Sequence, residues 1–453
     1  MKTNIINTKS ILLNSFRFDP SFHLSEAIIL GKDLDNVPYE KISIKDTNSK
    51  VFLGNIFSRI FVKDKEHGIP YLAASDTVLA DINTGRFLSK KQSKELAYLM
   101  LKKDWIVITC SGTIGNVTYT NSTFENHIAT HDLIRIVPND EKILKGYLYA
   151  FLSSKYGYNQ LTQSRFGGVV KHINADHVNG ITLPLFPESF QKEVDDLIQE
   201  SARLREEATE ALDNAHSLIE KHFDCLENIE RKSVNIKEIN KDNIRFDASY
   251  HLSDSKKYEI RIESLGYTEL SNLCTDIFGG GRAKRYYTAD KTKGVPYLSN
   301  SDLSKANPLR TCKYSLKSRI VETETLKKGM IVTGRVGAIG QTQIIGSQFD
   351  SMKVMASDNV IRILPKNNYG YIYAFLSSCI GNSLFWKYAT GGVQPFISSS
   401  MVGKIKIPHL EHNVIDECNR LIELYSLKRE ESNIKEEKAI LLVEQEIEKW
   451  NKQ

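Results

Sequence analysis

The stretch IRFDASYHLS, Ile244–Ser253, repeats one met earlier in the same chain, FRFDPSFHLS at Phe16–Ser25. Sliding the sequence against itself by about 225 residues extends the match in order along both halves. HGIPYLAASD (His67–Asp76) falls on KGVPYLSNSD (Lys293–Asp302), and SGTIGNV (Ser111–Val117) falls on VGAIGQT (Val336–Thr342). DLIRIVP (Asp132–Pro138) falls on NVIRILP (Asn359–Pro365), and GYLYAFLSS (Gly146–Ser154) on GYIYAFLSS (Gly370–Ser378). FGGVVKHI (Phe166–Ile173) falls on TGGVQPFI (Thr390–Ile397). The offset stays between 224 and 228, so the halves carry almost the same loops and the chain is a tandem duplication.

Each half reads as a compact α+β domain. DWIVITC and GMIVTG are apolar, β-branched runs that enter glycine turns, and IRIVP and IRILP alternate and stop at proline, as strands do. GYLYAFLSS has helical spacing and reads as a helix against a sheet. After each domain the texture changes. Phe190, Val194, Leu197, Ser201, Leu204, Ala208, Ala211, Ala215, Leu218 and His222 recur at alternating steps of four and three, a heptad seam on a charged helix. A second arm from Val414 through Leu421 to Ile440, Val443, Ile447 and Trp450 has the same character but loses phase around KREESNIKEEK. Neither seam can be buried alone, so the expected solution is an antiparallel coiled coil of the two arms with pseudo-twofold symmetry. Such an arm of about 33 residues is about 50 Å long. The expected division is a first domain at 1–187, its arm at 188–232, a second domain at 233–410 and its arm at 411–453.

With 453 residues, two to four domains are expected. No apolar run reaches the roughly 18–20 residues of a membrane span and the start lacks a signal peptide, which points to the cytoplasm. Six scattered cysteines without a CxxC pair read as free buried thiols. The net charge of +5 is unevenly placed: Glu188–Lys221 carries ten acidic and four basic residues, and Glu411–Gln453 eleven and seven. The arms are therefore acidic at −6 and −4, and the remainder stands at +15, suited to neutralising phosphates. A solvated basic surface without a partner fits the same number.

The ordered set of landmarks, twice over and each time followed by a heptad helix, resembles the specificity subunit of a type I restriction-modification system over essentially the whole length. The resemblance implies two target recognition domains that bind double-stranded DNA at a bipartite site, one half-site each, with the helices as a ruler. It further implies two copies of a methyltransferase subunit as partners, with restriction and translocase subunits beyond them, and no membrane. It implies no catalysis and no cofactor in this chain; S-adenosylmethionine belongs to the partner methyltransferase.

Segments shared by both copies cannot tell half-sites apart, so Arg17 with Asp19, and Arg245 with Asp247, are expected as internal ion pairs or caps. Segments that differ and are basic or aromatic are the candidates for DNA contact. In FGGGRAKRYY (Phe278–Tyr287), glycines including Gly280 allow close backbone approach, and Arg282, Lys284, Arg285 and Tyr286 supply charge and a ring. The counterpart is read as FSRIFVKDKEH, which keeps Arg59, Lys63 and Lys65 but lacks the glycines. The glycine pairs Gly167-Gly168 and Gly391-Gly392 are flanked by Arg165, Lys171 and His172 in one half and by Lys387, Tyr388 and Gln394 in the other. Lys90 and Lys91 suit phosphates, and Arg335 suits either DNA or a structural ion pair. The structural alternatives are a mobile hairpin tip with solvated charges at Phe278–Tyr287 and a glycine-rich turn at each glycine pair.

Enzyme motifs fail on inspection. There is no PP dipeptide and hence no (D/N)PP(Y/F), no GK(S/T) completes a phosphate loop, and no PD…(D/E)xK cluster appears. HIATHD lacks the glutamate of HExxH, so His127 and His131 are not expected to bind zinc. The rival reading is a duplicated protein-interaction scaffold with a basic surface and no sequence-specific DNA reading.

Overall fold

The computed structural model describes residues 26–63, 65–163, 172–224, 226, 233–234, 236–239, 245–253, 255–282 and 284–451. The fold is mixed α+β, and the chain divides into two compact units: 1–206 with 431–453, and 207–430.

The first unit holds a four-stranded antiparallel sheet in the order Lys50–Phe52, Leu133–Val137, Ile106–Thr109, Val117–Tyr119. Ile106–Thr109 is buried at every position. That explains its unbroken β-branched run, since a strand covered on both faces has no reason to alternate. A second sheet runs Phe61–Val62, Phe87–Ser89, Gly68–Leu72, Ile128–Ala129, the last pair parallel. Lys41–Ser43 pairs with Thr182–Pro184 where the domain hands over to the first long helix.

Helices Lys145–Ser153 and Lys155–Gln163 follow the sheet. The first is buried from Gly146 to Leu152, so its apolar character is all round rather than a stripe. Gly157 is where the second helix meets it: a Cβ there would lie 2.2 Å from the Phe151 carbonyl and 2.5 Å from the Leu152 Cα. Gly381 stands in the same relation to Phe375 and Leu376 in the second unit. Gly157→Ala is therefore expected to destabilise the first unit by about 1–3 kcal/mol through overpacking. Urea midpoints at unchanged slope check this, and an unshifted midpoint would show that the turn yields without strain.

The second unit repeats the order of elements. Its sheets run Cys274–Gly279, Val360–Pro365, Ile331–Gly334, Thr342–Ile344, and Tyr287–Thr288, Lys313–Leu316, Gly294–Leu298, Met355–Ala356. The expected internal role of the RFD segment is met in this copy. Arg245 is buried, its Nε donates to Asp247 Oδ1 at 2.8 Å, and its remaining nitrogens donate to the Tyr388 and Ala389 carbonyls at 3.1 and 2.8 Å. Arg17 and Asp19 lie outside the described residues.

Two long helices, Glu188–Glu220 and His412–Lys449, each contribute to both units. Within the second unit Glu207 meets Lys428 at 2.7 Å, the Ala215 carbonyl meets Cys418 Sγ at 3.9 Å, and His222 stands 3.7 Å from Glu411. One number rises as the other falls, so the helices run antiparallel there. Within the first unit the Ser201 and Ser432 hydroxyls are 2.9 Å apart.

The burial differs from the heptad in two ways. Ile198, Leu212 and Ile219 are buried besides the expected positions. The stripe is wider than a coiled-coil seam because each helix also covers a domain. And His412–Lys449 continues without a break through KREESNIKEEK, because a buried polar layer replaces apolar contacts there. Arg205 donates to Glu436 Oε2 at 2.8 Å and to Asn433 Oδ1 at 3.2 Å, and Tyr149 donates to Glu436.

Cys110, Cys274 and Cys418 are buried free thiols as expected, but Cys379 is exposed. It opens the helix Cys379–Tyr388, and its Sγ lies 3.2 Å from Glu220 Oε1. No described helix is long and apolar enough to cross a membrane.

Candidate nucleic-acid interface

In each unit the site is built on a loop that leaves the first sheet and enters the second. Phe52 is in register with Arg135, and Phe278 with Arg362. Since Arg135 and Arg362 are the same residue of the repeat, Phe52 is the counterpart of Phe278, and the loops are 53–60 and 279–286. The pairing of FSRIFVKDKEH with FGGGRAKRYY is thereby corrected: it was drawn through Phe57, five residues too late. The true counterpart, LGNIFSRI, keeps one glycine.

That glycine explains itself. A Cβ on Gly54 would stand 3.2 Å from the His131 Cα, and one on Gly280 3.2 Å from the Asp358 Cα and 3.0 Å from the Arg362 guanidinium. Gly280 is therefore a place where the loop backbone presses on the protein's interior, not on a phosphate as expected. Gly281 beside it faces open space.

The two buried arginines hold what the loops press on. Arg135 donates to the carbonyls of Leu133, Ala129 and Thr130 at 2.8, 2.9 and 3.1 Å, and burial pushes its pKa down to about 10. Arg362 donates to Val360 at 2.7 Å, Ser357 at 3.1 Å and Glu324 at 3.2 Å, and to Ala356. They fix the short turns that carry His131-Asp132 and Asp358.

Arg59 and Arg285 occupy equivalent positions and do equivalent things. Arg59 lies over Tyr71 at 5.9 Å, donates to Thr130 Oγ1 at 3.1 Å and has Asp132 at 3.9 Å. Arg285 lies over Tyr297 at 5.6 Å and donates to Asp358 Oδ1 at 2.7 Å. Phe61 and Tyr287 complete each cluster, edge-on to those tyrosines. Arg282 keeps 86% of its side chain exposed with Asp358 at 3.7 Å. Beside it a cavity of about 340 Å³ is lined by Lys284, Arg285, Tyr286, Tyr297, Arg319 and Glu324. Arg319, which the sequence reading missed, lies 4.7 Å above the Tyr286 ring.

Residues distant in sequence converge on the same turns. His172 Nδ1 is 3.0 Å from Ser111 Oγ, which donates to Asp132 Oδ1 at 3.2 Å. His172 and Arg59 thus share Asp132's neighbourhood. Arg335 bridges strand ends, its N–H donating to the Asn359 carbonyl at 2.8 Å and its own carbonyl accepting from Ile397 at 2.9 Å. The adjoining loop is closed by two Thr390–Phe396 backbone bonds at 2.8 Å and leaves Gln394 exposed. Lys63, Lys65, Lys90 and Lys91 are exposed, and Lys90 Nζ donates to the Glu66 carbonyl at 2.7 Å. Arg165 and Lys171 lie outside the described residues.

Two expected contacts are withdrawn. Lys387 and Tyr388 are buried, Lys387 in an ion pair with Glu259 and Tyr388 with its hydroxyl 3.4 Å from the same carboxylate. They sit on the inner face of Cys379–Tyr388, a helix whose apolar packing carries them inward. His127 Nδ1 turns to the Glu125 carbonyl at 3.1 Å, and among the described residues no cluster of metal-ligating side chains occurs.

Residues 36–205 match the family model described as the Type I restriction modification DNA specificity domain. Comparison with curated proteins gives no match. Among solved structures the chain is similar to the type I restriction-modification S subunit from M. genitalium, at 14% identity over 92% of this chain and 96% of that one, TM-score 0.32. It is also similar to the HsdS subunit from Thermoanaerobacter tengcongensis, at 13% identity over 93% and 95%, TM-score 0.27.

Proposed function

We propose that this chain, whose residues 36–205 match the type I restriction modification DNA specificity domain, is the non-catalytic subunit that reads a bipartite DNA site, one half-site per recognition domain. The recognition domains are 1–187 and 233–410, and the arms at 188–232 and 411–453 set the gap between half-sites. Methyltransferase subunits, two to a chain, dock on this frame and bring S-adenosylmethionine; restriction and translocase subunits join them in the cytoplasm. The single observation that carries the reading is the twice-built loop, with Arg59 and Arg285 each laid over a tyrosine and tethered to the protein while Ile56 and Arg282 stay exposed. Tethered arginines and lysines contact the backbone, and side chains at the loop tips and at Gln394 reach base edges.

Selection of the full chain against a randomised duplex pool tests this. The expected product is two short sequence blocks separated by a fixed gap, with binding that falls steeply with salt. Inserting a helical turn near Ala208–Ala211 should change the gap and neither block. No enriched sequence, with weak salt dependence, would favour the scaffold.

A further inference from the structure

Once the loops are aligned by sheet register, Ile56 and Arg282 fall on the same position. We propose that this position is the base-discriminating one in each unit, Ile56 taking the methyl group of a thymine and Arg282 the edge of a guanine; the proposal rests on the DNA-reading function above.

The loops are anchored identically on both sides of it. Two residues before, Gly54 and Gly280 each leave no room for a side chain against the turn residue: a Cβ would stand 3.2 Å from the Cα of His131 or Asp358. Three residues after, Arg59 and Arg285 each lie over the tyrosine of the PYL strand, at 5.9 and 5.6 Å. With both ends fixed the same way, the chemical difference between copies is delivered at the apex. Ile56 is 86% exposed there, while the adjacent Phe57 turns in against the His131 ring at 5.8 Å. The folded chain gains nothing from that isoleucine in water. Arg282 also points out, 86% of its side chain exposed, unlike Arg285. Lys284, at the position of Ser58, lies 5.4 Å from the Tyr286 ring and offers a point charge suited to phosphate. Asn55 against Gly281 and Ile60 against Tyr286 differ as well, but Ile60 is only 47% exposed, and Ile56 with Arg282 pairs the highest exposure with distinct base chemistry: an aliphatic branch contacts the thymine C5 methyl, and a guanidinium pairs bidentately with guanine O6 and N7.

Reciprocal variants of the full chain, Ile56→Arg and Arg282→Ile, test it in the randomised-duplex selection, with Ile56→Ala as a milder control. The expected result is that one position of the first half-site, T·A for the natural chain, becomes G·C in Ile56→Arg and loses its preference in Ile56→Ala. Arg282→Ile should lose a G·C preference of about tenfold to a hundredfold at one position of the second half-site. All other positions should stay as they are. Motifs unchanged by these variants would overturn the proposal, as would a loss spread evenly over every position of a half-site. A natural chain that enriches no motif would instead take down the DNA-reading function itself, and this proposal with it.

Discussion

Arg362→Met should lower the stability of the 207–430 unit by about 3–5 kcal/mol, more than any surface change could. The side chain is wholly buried, and its guanidinium is the donor for the carbonyls of Ser357, Val360, Glu324 and Ala356. Burial holds its pKa below the ordinary arginine value. No carboxylate is hydrogen-bonded to it, so it acts as a fork for backbone carbonyls rather than as half of an ion pair. Methionine fills the stem but donates to none of those oxygens; the Ser357 carbonyl keeps the Val360 N–H at 3.2 Å, and the others lose the guanidinium. Releasing the desolvated charge offsets part of the loss, which is why the expected cost is less than the sum of the bonds. Arg362→Lys should fail too, because one ammonium cannot span the same four acceptors. Hydrogen exchange gives the location: protection should fall across Val360–Pro365 and Met355–Ala356 first. The turn carrying Asp358 should loosen with it, which under the proposed function degrades recognition by the second domain and leaves the first intact. A change within about 1 kcal/mol would mean the four carbonyls find other donors.

The second large effect is expected at Lys387→Ala. Lys387 pairs with Glu259 where both are buried, with Lys256 at 3.4 Å from the same carboxylate. Burial by itself would raise the Glu259 pKa, but the Lys387 ammonium overrides it and holds the carboxyl below its ordinary 4.5. Removing Lys387 leaves the buried carboxylate with only Lys256, 3.4 Å away, as an ion-pair partner, so the cost should lie at the low end for a broken buried pair, about 3 kcal/mol, whereas replacing both partners, Lys387→Met with Glu259→Leu, should recover most of it. The sign with pH is fixed by the depressed carboxyl. Its contribution is complete above pH 4.5 and is lost as pH falls through the lower folded value. The natural chain should therefore lose stability in that acid range, and the double variant should lose less. Equal acid sensitivity in the two would remove Glu259 from the account.

Much of this was open to reading in the chain itself. Two copies of ten-residue landmarks at a nearly constant offset cannot arise from composition, and IVIT, IRIVP and GYLYAFLSS each named its element by period. The errors share one cause. Lys387 and Tyr388 precede a glycine loop in sequence, yet helical periodicity turns them inward, and a glycine neighbourhood says nothing of facing. Arg135 and Arg362 alternate with isoleucines, a period that names the strand but not where its charged side chains go. Both faces of that strand are covered, so the outward position does not exist. The FSRIF alignment chose a phenylalanine by identity, though Arg59–Arg285 and Tyr71–Tyr297 share an offset of 226 and marked the right register.

The sequence by itself determined the duplication, the α+β class and the two helices, because periodicity and repetition are properties of the chain alone. Which loop residue stands opposite which, and which charges are spent inside, was settled only by tertiary structure. Cross-strand register and the covering of both sheet faces depend on partners 83 and 84 residues away, from Phe52 to Arg135 and Phe278 to Arg362, and no local pattern encodes them.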